Sequence, residues 1–362
     1  MSSVQLTLGI ALVLGVLWEA FETIVLPRRV TRRFRLTRLF YRSTWRPWSA
    51  VARKMTKGRR DIFLSIYGPL SLVFLLALWA ISLVIGFALV HRGLGTPLRP
   101  AVEPNFWTDL YFSGTTFFTL GLGDLAPVST AGRMLSVLEA GLGFGFLAIV
   151  ISYLPVLYQS FSRREVIISM LDARAGSPPT AAELVRRHAQ EYGLDALTAL
   201  LADWESWSAE LMESHLSYPV LAYFRSQHDN QSWLAAMTAI LDASALVMAG
   251  VPGPPAVQAR LTFAMARHAV VDLSQIFGTA PHHNSERLTE AEFARLATLL
   301  ANHGVKLDEA VVRNRLQKLR PMYEPYVSSL AHYLSMPLPT WAPSLKARDN
   351  WQTSAWERDE AD

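Results

Sequence analysis

Thr119-Leu120-Gly121-Leu122-Gly123-Asp124 sets two glycines two residues apart, between a threonine hydroxyl and a carboxylate. That spacing suits the capture of a dehydrated cation. Such an ion needs replacement oxygens at close range, and rings of backbone carbonyls supply them. The carbonyls must then aim at one axis, which demands backbone angles that a residue with a Cβ resists. Gly121 and Gly123 give that freedom. Thr119 adds a hydroxyl at the inner end and Asp124 a charge at the outer mouth. A Gly-Leu-Gly-Asp run by itself is an ordinary loop, so its meaning depends on the elements around it.

Other polar groups are less complete. Trp204, Glu205, Trp207, Glu210, Glu213, His215, Arg225 and His228 form one cluster, and His268 and Asp272 stand four apart. Helical bundles build metal sites on Glu-x-x-His spacing, which is absent here, so salt bridges and buried polar pairs explain these residues more cheaply. The chain has no cysteine, which removes disulfides and thiolate metal sites. No nucleophile and base pair up. The expectation is no catalytic residue, no metal, no cofactor and no enzymatic activity.

The elements that must position the glycine segment are membrane helices. The chain is 362 residues long and 51% hydrophobic, and a bilayer needs about 20 apolar residues per helix. Three stretches qualify: Val4 to Leu26, Ile62 to Val90, and Met134 to about Tyr158. Residues 232–249 are also apolar, but their short length and Asp242 favour a buried helix in a soluble bundle. Residues 1–60 carry 13 Lys and Arg against 2 Glu, whereas 161–362 carry 18 basic and 23 acidic side chains. The basic residues Arg28, Arg29, Arg32, Arg33, Arg35, Arg38, Arg42, Arg46, Arg53, Lys54, Lys57, Arg59 and Arg60 lie between the first two spans. The positive-inside rule puts that loop in the cytoplasm, the N-terminus and residues 91–132 outside, and everything after about 160 inside. Interleaved Phe34, Phe40, Tyr41, Trp45 and Trp48 suit an interfacial helix among anionic headgroups, and not a nucleic-acid site.

The outer segment opens with a polar turn, His91 to Asn105. Phe106 to Phe118 then reads as a helix too short to cross, ending in the glycine segment, and Pro127 breaks any continuation. The chain therefore enters the membrane and turns back. Non-helical backbone at that depth is tolerated where it is buried in protein or lines a cavity.

These residues resemble the potassium-channel pore family. Thr119, Gly121, Gly123 and Asp124 match its T-x-G-x-G-D pattern, Thr115 and Thr116 precede it, and Tyr111-Phe112 match the aromatic pair of its pore helix. Gly132-Arg133 opens the next span, Glu139 lies in that span's outer half, and Gly143 stands where the family places its inner-helix hinge. The resemblance covers roughly residues 61–160. It implies a homotetramer in the plasma membrane that conducts potassium ions passively, with 119–124 as selectivity filter and Tyr111, Phe112, Thr115 and Thr116 supporting it. Leu122 departs from the usual aromatic, as it does in some loops of animal two-pore-domain potassium channels. Thr115 stands where some members carry a carboxylate. A weakly selective cation channel is therefore the near alternative, and a membrane-anchored sensor or enzyme with a vestigial pore the distant one.

The expected organisation is all-α: residues 1–60 a first span with its basic loop, 61–160 the pore domain, 161–335 a helical cytoplasmic domain, and 336–362 a tail. Gly141, Gly143 and Gly145 read either as a hinge or as close helix packing. Pro155 is expected to kink the last span, near a constriction at Ile151, Leu154 and Tyr158. Glu19 and Glu22 share one helical face and are expected to pair with Arg28 and Arg29. Thr180 to Glu183 and Thr289 to Glu292 read as capping boxes.

Overall fold

A computed structural model describes residues 2–26, 35–101, 105–189, 193–227, 230–283 and 286–343. Arg28, Arg29, Arg32, Arg33 and Phe34 of the basic loop, His228, and the tail from 344 onward lie outside the described residues. Among the described residues the fold is all-α apart from one two-residue antiparallel pairing, and the chain divides into two units between Gln159 and Ser160.

In the first unit, α1 (Ser3–Ala20) continues through a π-helical turn, Phe21–Val25, and packs on α3 (Lys57–Leu94). Two glycines let the backbones touch: a Cβ on Gly9 would stand 2.6 Å from the Gly86 carbonyl oxygen. Small residues at such crossings replace the hydrophobic drive that lipid cannot give. Between α1 and α3 in the chain, α2 (Leu36–Ala52) is amphipathic and packs on α3. Its buried face holds Phe40, Tyr41 and Trp45, with Trp45 edge-on to Tyr67 at 4.7 Å and Trp48 stacked on Phe63 at 4.3 Å. Its arginines Arg38, Arg42 and Arg46, and Arg53 at its C-cap, are exposed. The Glu19 carboxylate accepts from the Thr37 backbone N–H at 2.8 Å. It thus serves an unpaired donor of the first turn of α2 and meets the positive end of that helix. Arg28 and Arg29, the partners expected for Glu19 and Glu22, lie outside the described residues, and Glu19 also stands 3.9 Å from Arg35. Glu22 accepts from the Trp18 indole at 2.8 Å.

The third span, α5 (Thr130–Ala175), has 46 residues. At 1.5 Å per residue it is about 69 Å long, more than twice what a bilayer core requires. It runs past the expected end at Tyr158 because good helix formers follow, and it stops at Gly176, whose φ of 83° is left-handed. Pro155 sits inside this helix without ending it.

Seven α-helices follow α5 among the described residues of the second unit: α6 (Ala181–Arg187), α7 (Gly193–Ser217), α8 (Trp233–Gly250), α9 (Pro254–Phe277), α10 (Glu290–Asn302), α11 (Glu309–Leu319) and α12 (Glu324–Leu334). Thr180 and Thr289 accept from the Glu183 and Glu292 backbone N–H groups, so both caps form. The glutamates turn elsewhere, Glu183 to Arg186 and Arg187, Glu292 to Arg295 and the Ala342 N–H. Helix α8 is long and apolar enough to cross a membrane, but 89% of it is buried inside its own unit, against 17% for the most apolar window of α5. It is a core helix. Asp242 in its middle is fully buried and accepts from Arg287 and from the Tyr323 hydroxyl at 2.6 Å.

His215 on α7 is also fully buried. It donates from Nδ1 to the Leu211 carbonyl at 2.9 Å, which leaves Nε2 to accept from Arg164 at 3.3 Å. Burial, and then the Arg164 charge, hold its pKa well below the ordinary 6.5. As pH falls, the unfolded chain therefore takes up this proton first. The stability is complete above about pH 6.5 and is lost at about 1.4 kcal/mol per pH unit at most as pH falls toward the folded value. Thermal melting of the full-length protein should drop between neutral and mildly acidic pH, with a shallower slope in His215→Gln. An equal slope in that variant would show that His215 is not responsible.

Candidate functional site

The glycine segment is held by the short helix before it. Asn105 caps α4 (Phe106–Phe117), its side-chain oxygen accepting from the Thr108 N–H at 3.0 Å. Phe112 and Phe117 are buried, and Phe117 faces Phe146 of α5 with ring centroids 6.1 Å apart. The helix ends one residue before the sequence-based boundary, with Phe118 as its cap.

Past Phe118 the backbone peels off in steps. The Thr119 N–H donates to Thr116 O at 3.0 Å, while the Leu120 and Gly121 N–H groups both donate to Thr115 O, at 2.8 and 3.3 Å. Thr115 thus supports the segment through its carbonyl. The hydroxyls of Thr115 and Thr116 turn back to Phe112 O. From here every second residue has positive φ: 55° at Thr119, 56° at Gly121 and 77° at Gly123. Glycine adopts this region freely, whereas Thr119 is held there at a cost. At the far end, Asp124 Oδ2 accepts from the Tyr111 hydroxyl at 2.8 Å. That bond ties the end of the segment to the helix that begins it. It joins residues 13 apart, and only the aromatic-pair match marked Tyr111 in the sequence.

Leu120 and Leu122 do not pack within their own chain; they are 62% and 63% exposed. The space around Gly121 and Gly123 is also open. The returning chain, β2 (Ala126–Pro127), pairs antiparallel with β1 (Leu98–Arg99).

Gly143 of α5 meets the end of α4. A Cβ there would collide with the Phe117 carbonyl oxygen, whereas Gly141 and Gly145 have nothing near them. Close packing is therefore sufficient reason for Gly143, and α5 is continuous through it. Ile151 and Tyr158 point away from the chain's own core, while Tyr153 and Leu157 are buried.

The meeting of Glu139, which the family resemblance marked, with His91 and Ser113 escaped the sequence reading. His91 was expected in the polar turn, but α3 extends to Leu94 and buries it, together with Ser113 and Glu139, behind α4. Arg92 of the same turn pairs with Asp109 on α4 at 3.2 Å. The run Val84 to His91 is apolar enough to mark the helix, but nothing local marks its partners.

Residues 70–159 match the family model described as an ion channel. The chain is 28% identical over 209 residues to the uncharacterized membrane protein YdjJ of Bacillus subtilis (strain 168), which covers 57% of this chain and 60% of that protein. It thus spans about 60% of the length of that curated relative. No solved structure matches.

Proposed function

We propose, taking as premise that residues 70–159 are an ion-channel domain in a multi-pass membrane protein, that four copies form a potassium-selective pore filtered by residues 119–124. The observation that carries this reading is the positive φ at Thr119, Gly121 and Gly123 directly after a capped 12-residue helix. Alternation in the sign of φ turns successive peptide planes so that their carbonyls share one side, which suits a desolvated cation. The C-terminal end of α4 adds partial negative charge at the inner end of that line.

The assembly follows from what a single chain lacks. It supplies one line of carbonyls, its filter leucines are exposed, and its filter glycines face open space. Neighbouring copies around an axis would fill these positions. The cell membrane is the setting, with the N-terminus outside and the unit after 160 in the cytoplasm, by the positive-inside rule. The permeant ion is the only ligand this reading needs.

Reconstituted full-length protein should pass current whose reversal potential follows the potassium gradient when sodium is varied. A reversal potential indifferent to the two ions would favour the weakly selective reading, for which the exposed, non-donating Leu122 is the supporting observation. Absence of any cation flux would end the channel reading.

The arginine stripe of α2 adds a lipid partner. Arg38, Arg42 and Arg46 stand four residues apart on α2, Arg53 caps its end, and all four are exposed; each cation near an anionic leaflet contributes about 1 kcal/mol. With all four replaced by glutamine, the purified protein should retain less anionic lipid than wild type. Equal retention would rule out this stripe as the binding surface.

A further inference from the structure

Behind α4, three fully buried polar side chains meet from three helices: Ser113 of α4, His91 of α3 and Glu139 of α5. The Ser113 hydroxyl stands 2.8 Å from Val84 O of α3 and is also hydrogen-bonded to Glu139 Oε1. His91 Nε2 lies 3.3 Å from Glu139 Oε2, and its Nδ1 lies 3.2 Å from the Thr96 hydroxyl. The nearby charged groups have their own partners: Arg92 bonds to Asp109, Arg133 donates to Pro127 O, and Asp124 accepts from Tyr111.

Counting protons constrains the cluster. Ser113 has one proton and two contacts, and the Val84 carbonyl can only accept. If the Ser113 proton goes to Val84 O, the contact with Glu139 needs a proton on the carboxyl. One assignment then satisfies every contact. Glu139 donates to Ser113 Oγ, Ser113 donates to Val84 O, His91 Nε2–H donates to Glu139 Oε2, and Thr96 donates to His91 Nδ1. All three side chains are neutral in this arrangement. A carboxylate with an imidazolium would leave the Val84 contact without a proton and put two charges where water does not reach, a costly arrangement in a membrane.

The cluster also lies on the surface that seats the filter helix. Ser113 and Phe117 are four apart on α4, and Glu139 and Gly143 are four apart on α5. Glu139 holds Ser113 while Gly143 receives the Phe117 carbonyl. We propose that Glu139 is a positioning residue of the pore, a proton-bearing neutral clamp that holds α4 through Ser113 and His91 and so holds the segment that follows. This rests on the channel reading above.

The test uses full-length Glu139→Gln and Glu139→Leu. The glutamine is neutral, and its amide can donate to Ser113 and accept from His91. It should retain potassium flux in vesicles within about twofold, whereas the leucine variant should lose about tenfold or more, since each contact it breaks is buried. Equal loss in both variants would mean that an ion pair is required, and wild-type flux in the leucine variant would mean no role; either overturns the clamp. Infrared spectra of the purified proteins give a readout that needs no flux. The wild type should show a protonated-carboxyl band at neutral pH that Glu139→Gln lacks, and its absence from wild type would overturn the proposal. If wild type conducts no ion, the channel reading fails, and the band together with the melting order of the three proteins still decides whether the clamp is neutral.

Discussion

Gly121→Ala should abolish potassium flux while leaving the protein folded in the membrane. Gly121 has a φ of 56°, and an L-residue in that region costs roughly 1–2 kcal/mol. In the proposed four-copy pore the penalty would become several kcal/mol at the ion path, and each 1.4 kcal/mol is a factor of ten in population. A fall in flux on the order of a hundredfold or more is expected in vesicles loaded for potassium uptake. The matched control is Gly141→Ala. That residue lies inside α5, in ordinary helical backbone, with open space where a Cβ would go. Flux from Gly141→Ala should stay near wild type. Wild-type flux from Gly121→Ala would mean that this segment does not line the path.

Arg287→Met should cost the second unit about 3–5 kcal/mol, the range for breaking a buried pair by removing one partner. Arg287 bonds to Asp242 through both terminal nitrogens, stands 3.6 Å from Glu324 and donates to Pro339 O at 2.8 Å. Burial would lower its pKa, but Asp242 more than compensates and holds the guanidinium charged. Without it, two buried carboxyls remain beside the Tyr323 hydroxyl. The double variant Arg287→Met with Asp242→Asn should recover part of the loss, because it removes the stranded charge as well. Denaturant unfolding of the full-length protein measures both. A loss under about 1 kcal/mol in Arg287→Met would show that the network is relaxed by water and is not a stabilising feature.

Much of the candidate site was legible because its chemistry is local. Thr119 to Asp124 are contiguous, the helix before them runs from its Asn105 cap to Phe117, and each span is a run of apolar residues. Boundaries slipped where a signal was shared. His91 is polar and begins a polar stretch, yet it belongs to the last turn of α3, because the helix continues to the left-handed Gly95. The end of α5 was likewise set too early, because hydropathy falls at Tyr158 while helix propensity persists to Gly176.

What the sequence by itself determined is what period and composition encode: an all-α chain, three long apolar helices, a basic segment between the first two, and a glycine pair after a short helix. What only the tertiary structure decided is which side chains meet. Glu139 is 48 residues from His91 and 26 from Ser113, Asp242 is 45 from Arg287, and Glu19 is 18 from the backbone it caps. Each pairing depends on the rotation and crossing of packed helices. In this chain those are set by close contacts such as Gly9 on Gly86 and Gly143 on Phe117. Such contacts leave no periodic trace, because a single glycine in an apolar run looks the same whether its face is empty or pressed against another backbone.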